Sequence, residues 1–144
     1  MKTLLLLLVA AAQAGVTDTV AQRNGWAEYE RSLDAKIDAL NATCGAHLTG
    51  DYDKDSYPTF DPIQDRTQSA CQQAVDALAT VCATPAGKEA VQQLKATSCK
   101  FSTQGTGVHL KGAVLVIGID PDNSSIRGKQ PGGYSWKTAI EEIL

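Results

Sequence analysis

Hydrophobic and polar residues change rhythm several times along this chain, and each change marks an element. From Trp26 the apolar positions Trp26, Tyr29, Leu33, Ile37, Leu40 and Cys44 recur at steps of three and four, with Glu28, Glu30, Arg31, Asp34, Lys36 and Asp38 between them. That spacing predicts an amphipathic helix with one buried stripe. Gly45 is where it should end, because glycine takes the left-handed cap conformation without steric cost. A second stripe, made by Cys71, Ala74, Val75, Leu78, Val81 and Cys82, predicts a helix over 66–83. Thr84-Pro85 then supplies an N-cap and a first-turn proline for a third helix running to Thr97, with Ala90, Val91 and Leu94 inward.

After Ser98 the period shortens toward two. Cys99, Phe101 and Thr103 alternate with Lys100 and Ser102, Gly105 and Gly107 mark a turn, and Val108 and Leu110 flank His109. Lys111-Gly112 is a second turn, followed by the apolar run 113–119. The pattern predicts a three-stranded antiparallel meander whose last strand, apolar on both faces, is central or covered by a helix. Residues 120–133 are turn-rich, and Ser135 caps a short C-terminal helix bearing Trp136, Ile140 and Ile143. Three N-terminal helices followed by a small sheet and a last helix make the fold class α+β.

Two stretches carry no periodicity. Residues 15–24 are polar and read as a flexible leader, so a single α+β domain should cover 25–144. Residues 49–65 hold Gly50, Pro58, Pro62 and the aspartates 51, 53, 55, 61 and 65, which predicts a long ordered loop anchored by Tyr52, Tyr57 and Phe60. Loops of this length without secondary structure are uncommon and often functional. Ahead of both lies Lys2, the apolar run 4–12 and Ala12-Gln13-Ala14, the pattern of a secretory signal peptide over 1–14. Its apolar centre is far shorter than the roughly 20 residues needed to cross a bilayer, so no membrane span is expected in the mature chain.

Export gives the four cysteines a meaning, since an oxidising compartment turns an even count into disulfides. Cys71 and Cys82 lie eleven residues apart on one helix, about 16 Å along its axis. A disulfide needs Cα atoms within about 7 Å, which excludes that pair. Cys82 and Cys99 flank the whole third helix, and the few residues after it cannot bring the chain back. Cys44–Cys82 and Cys71–Cys99 remain. The first joins the ends of helices one and two; the second should fold helices two and three antiparallel.

Charge and motifs narrow the chemistry. The formal net charge is −3 and moves to −4 once Lys2 is removed, with no cluster of basic residues, so nucleic acid is not an expected partner. Asp51-x-Asp53-x-Asp55 is the sharpest local motif, because alternate acids on a curled loop can converge on calcium. Ser56 stands where a calcium loop needs glycine and Pro62 where it needs a bidentate glutamate. No other cofactor is expected. His47 and His109 are the two histidines, and no Gly-x-Ser-x-Gly elbow accompanies them. Gly87-Lys88 and Gly128-Lys129 lack the spacing of a phosphate loop. Asn41 and Asn123 fit the glycosylation acceptor pattern, Asn41 within a helix and Asn123 in a turn.

Two classes of function fit this composition. One is a small secreted or periplasmic binding module, an inhibitor or immunity-type protein acting on a partner protein, with the acidic loop or a sheet edge meeting a basic surface. The alternatives are an exported enzyme assembled from scattered residues such as His109, Asp120 and the loop aspartates, or a calcium-binding domain built on 51–65.

Overall fold

The computed structural model describes residues 19–58, 62–123 and 135–144. Helix α1 spans Val20–Cys44 and begins earlier than its apolar stripe. Thr19 accepts the Gln22 backbone N–H through its hydroxyl, and the Gln22 side chain accepts the Thr19 N–H in return. This reciprocal pair satisfies two N–H groups that a helix start otherwise leaves open. Of the stretch read as a leader over 15–24, Thr19 caps this helix and Val20–Asn24 belong to it; residues 15–18, like the signal peptide, lie outside the described residues. The helix buries Trp26, Leu33, Ile37, Leu40 and Cys44 and ends at Gly45, whose φ of 63° is the left-handed value that favours glycine.

The segment expected to be one long loop is mostly structured. Strand β1 spans Thr49–Tyr52, a 3₁₀ turn spans Lys54–Ser56, and helix α2 starts at Pro62 and runs to Val81. Gly50 explains how β1 sits so close to α1: a Cβ there would lie 2.7 Å from Ile37 Cγ1. Helix α3 spans Pro85–Gln92 and is capped by the Thr84 hydroxyl, which accepts the Gly87 N–H at 3.1 Å. It stops short of Thr97 because Ala96–Phe101 form strand β2. Strands β3, Gly107–Lys111, and β4, Val114–Ile119, follow, and helix α4 spans Trp136–Glu141 behind its Ser135 cap.

The sheet is four-stranded and mixed, in the order β1-β2-β4-β3. β1 pairs parallel with β2, β2 parallel with β4, and only β3 and β4 pair antiparallel, joined at Gly112. The expected three-stranded antiparallel meander is thus corrected. The hairpin of β3 and β4 does form, but it swings so that β4, not β3, lies beside β2. β4 is the most apolar strand and takes an interior place with a neighbour on each side, which its composition demands.

Both disulfides pair as the spacing requires. Cys44 and Cys82 have Cα atoms 5.6 Å apart, and Cys71 and Cys99 have theirs 6.1 Å apart. Cys99 sits on β2, however, so the second bridge ties α2 to the sheet and does not fold α2 against α3. Helices α1, α2 and α4 pack on β1, β4 and β3 respectively, while α3 packs against α1 and α2. The face beneath them buries Tyr52, Thr97, Cys99, Val108, Leu115, Ile117 and Ile119. Removing each large aliphatic side chain of that set from water contributes about 1.5–3 kcal/mol. At one end, Trp26 closes the layer with Tyr29, Tyr52 and Tyr57, its ring centroid 5.1–6.1 Å from theirs.

Candidate functional site

Strand side chains alternate between two faces, so the residues between those core positions point the other way. Registered across the sheet they make rows. One row runs Asp51, Ser98, Val116, His109; a second runs Thr49, Ala96, Val114, Lys111; a third sets Lys100, Gly118 and Gly107 side by side, with Asp53 just beyond the end of β1. No helix among the described residues lies over this face. Its floor is small or short side chains and its two rims are charged.

Two depressions indent it. One, of about 500 Å³, is lined by Asp51, Asp53, Ser98, Lys100, His109 and Lys111 among others. The second, of about 420 Å³, is lined by Ser102, Gln104, Gly107, Gly118 and Asn123 together with the same Lys100 and His109. Sharing those two residues makes them one trough across the sheet. Carboxylates stand on the β1 side and Lys111 and His109 on the β3 side. Among the described residues, none of Asp51, Asp53, Lys100, His109 and Lys111 has an ion pair or side-chain hydrogen bond. Elsewhere among the described residues Lys36 pairs with Asp76 at 3.0 Å, Lys54 with Glu30 and Lys137 with Glu141 at 3.4 Å.

The candidates raised by sequence fall into place around this trough. Asp51 and Asp53 belong to it, and Asp55 follows in the exposed 3₁₀ turn. Among the described residues no three His, Cys, Asp or Glu side chains gather as a cation site requires. His109 lies on the face, while His47 is exposed in the link between α1 and β1. Asp120 is buried and already engaged: one carboxylate oxygen accepts the Gly105 N–H at 2.9 Å, the other the Asp122 N–H at 3.0 Å. It clamps a turn. His109 sits opposite Val116, four residues and about 13 Å of strand from Asp120, and three strand spacings, about 14 Å, from Asp51. The enzyme constellation of His109, Asp120 and the loop aspartates is not brought together.

Asn41 binds Leu48 twice, donating to the carbonyl at 2.9 Å and accepting the N–H at 2.8 Å. That pair braces the exit from α1 and engages both the nitrogen and the oxygen of the amide. Asn123 is exposed, and the residues after it, with Gly128-Lys129, lie outside the described residues. Gly87 serves helix packing: a Cβ there would lie 1.9 Å from the Val81 carbonyl oxygen.

Sequence reasoning missed Ser98, Val116 and Lys111 as surface partners of Asp51. The alternation within β2 was visible, but nothing local told that β1 existed or that it lay beside β2. On the covered side, burial pushes the Tyr57 phenol up to about 12, with the Thr67 hydroxyl pulling it down and Asp53 adding to the rise. Burial raises Tyr52 as well, helped by the Tyr57 and Glu30 side chains. Comparison with protein-family models, curated proteins and solved structures finds no match for this chain.

Proposed function

We propose that this protein is a small exported binding module of the inhibitor or immunity type, and that it holds its partner on the open face of the sheet. The observation that carries the reading is the trough itself: charged groups on both rims, none paired among the described residues, above a floor of small side chains. Lys36, Lys54 and Lys137, elsewhere on the surface, do pair, with Asp76, Glu30 and Glu141. Charges held apart on one face are suited to a partner that brings its own.

Two contact places suggested by sequence, the acidic loop and a sheet edge, coincide here. β1 is an edge strand, Asp51 lies on it, and Asp53 and Asp55 follow directly. A basic partner surface would meet this rim first. Export is supported by the two disulfides, which persist in oxidising compartments.

Site-specific photo-crosslinking tests the reading. A crosslinking residue placed at Ser98, on the open face, or at Glu89, on the exposed side of α3, is carried by the protein in its native exported fraction. Adducts to a second protein are expected from position 98 and not from 89. Adducts from both alike, from 89 alone, or from neither would overturn the proposal.

A further inference from the structure

The open face is complementary to itself, and we infer that it also binds a second copy of this chain. The inference rests on the reading of that face as a contact surface and names one partner for it. A two-fold axis lying in the contact plane, parallel to the strands and between β2 and β4, reverses the strand order of the second copy. β1 then lies over the partner copy's β3, and β2 over its β4. Asp51 comes over His109 of the second copy, and His109 over its Asp51, because the two occupy opposite ends of one row. Lys111, two residues along β3, reinforces the same pairing diagonally. One symmetric contact therefore matches both rims at once.

Shape follows the same operation. Lys100, the bulkiest residue of the inner strands on this face, lies over Gly118, Val116 lies over Ser98, and Val114 over Ala96. Each larger side chain is set over a small one. Rotating about an axis across the strands instead would set β1 on β1 and oppose acid to acid. Sheets pack face to face with strands within about 30° of each other, which the strand-parallel axis allows.

Size sets the strength. Four strands at about 4.8 Å and five residues at about 3.3 Å make a patch of roughly 300 Å² in plane. A standard stable interface removes about 800 Å² per partner. The dimer is therefore weak, reversible and sensitive to salt, and it covers the face that a foreign partner would use. The monomer is then the binding form, released on dilution.

Sedimentation equilibrium of the purified protein, recovered from an exporting host, from about 10 µM to about 1 mM reads the association. Asp51→Lys and His109→Glu should each weaken it at least about tenfold, because the symmetry doubles every change, and the double variant should return to within about threefold of the parent. His109→Lys should tighten it. Both sites are exposed, so unchanged thermal melts serve as the folding control. A monomer across the whole range, an association indifferent to the single variants, or a double variant as weak as its parents would overturn the second-copy inference. The crosslinking experiment separates the two claims. Foreign adducts at position 98 from a strictly monomeric protein keep the binding reading and remove this one; self-adducts alone do the reverse.

Discussion

The two faces of the sheet share one backbone and differ in nearly everything else. On β4 the step from Ile117 to Val116 moves from the helix-covered layer to the open trough, and on β2 the steps from Cys99 to Ser98 or Lys100 do the same. Three of the four strands run parallel to one another. Parallel sheets ordinarily have both faces covered, because their strands are apolar on both sides. Here the uncovered side is floored by Ala96, Ser98, Gly107 and Gly118, with Val114 and Val116 as its apolar residues. Leaving it open exposes little apolar area, so it costs little. What keeps a face open is the smallness of its residues, and that smallness also leaves room for a partner.

The largest effect should come from cutting the covered face loose. Cys71–Cys99 links the helix layer to the sheet, whereas Cys44–Cys82 joins two helix ends within that layer. For a sequence separation of 28, chain entropy alone gives about 3.5 kcal/mol. Replacing both cysteines, each fully buried, by alanine adds a small cavity cost of about 1 kcal/mol. Urea denaturation of Cys71→Ala/Cys99→Ala without reductant should show a loss of at least about 3 kcal/mol. A loss below about 1 kcal/mol would mean that packing, not the crosslink, holds the layers together.

How much of this was readable in sequence follows the same division. The covered side announced itself: the stripes of α1 and α2 contain the apolar residues the helices bury, and the length of α2 rules out Cys71–Cys82, although the exclusion of Cys82–Cys99 does not rest on helix length, because α3 ends at Gln92 and not at Thr97. Such signals are local or depend on rigid rods of known rise. The open face depends on which strand lies beside which, and nothing local decides that. Thr49-Gly-Asp-Tyr52 is short and carries glycine and aspartate, two residues depleted in strands, so β1 reads as loop. Its place beside β2 is set by Tyr52 packing on Trp26 and by the close approach of Gly50 to Ile37. The order of β2, β4 and β3 likewise comes from β4 needing neighbours on both sides. The capping pair Thr19 and Gln22 was legible and simply lay outside the hydrophobic stripe.

A sharper comparison comes from adjacent residues of one strand. Ile117→Ala removes a fully buried side chain from beneath α2 and should cost about 3 kcal/mol. Val116→Ala, on the other face, should cost about 1 kcal/mol, because Val116, although only 8 % exposed, lies outside the core cluster beneath the helices and its β2 neighbour, Ser98, is a short side chain. The two urea midpoints measure the contrast directly. Equal losses would mean that the open face is packed as tightly as the covered one, and the trough could not then receive a partner.

An effect smaller than that contrast concerns the end of the covered face where Tyr57 meets Trp26. A phenol is neutral when protonated, and burial holds the Tyr57 proton up to about 12 against an ordinary 10.0. Between those values the unfolded chain has lost the proton and the folded chain keeps it. The unfolded state therefore binds fewer protons, and stability falls as pH rises. Below pH 10 the contribution is fully present. By about pH 11 the loss reaches about 1.4 kcal/mol, one unit's worth. Tyr52, raised in the same direction, adds to the fall. Tyr57→Phe removes its share, so the decline between about pH 9 and pH 11 should be smaller in the variant by that amount when both are followed by denaturant titration. An identical decline in the two proteins would mean that water reaches the phenol, and that the aromatic cluster does not seal the helix layer against β1.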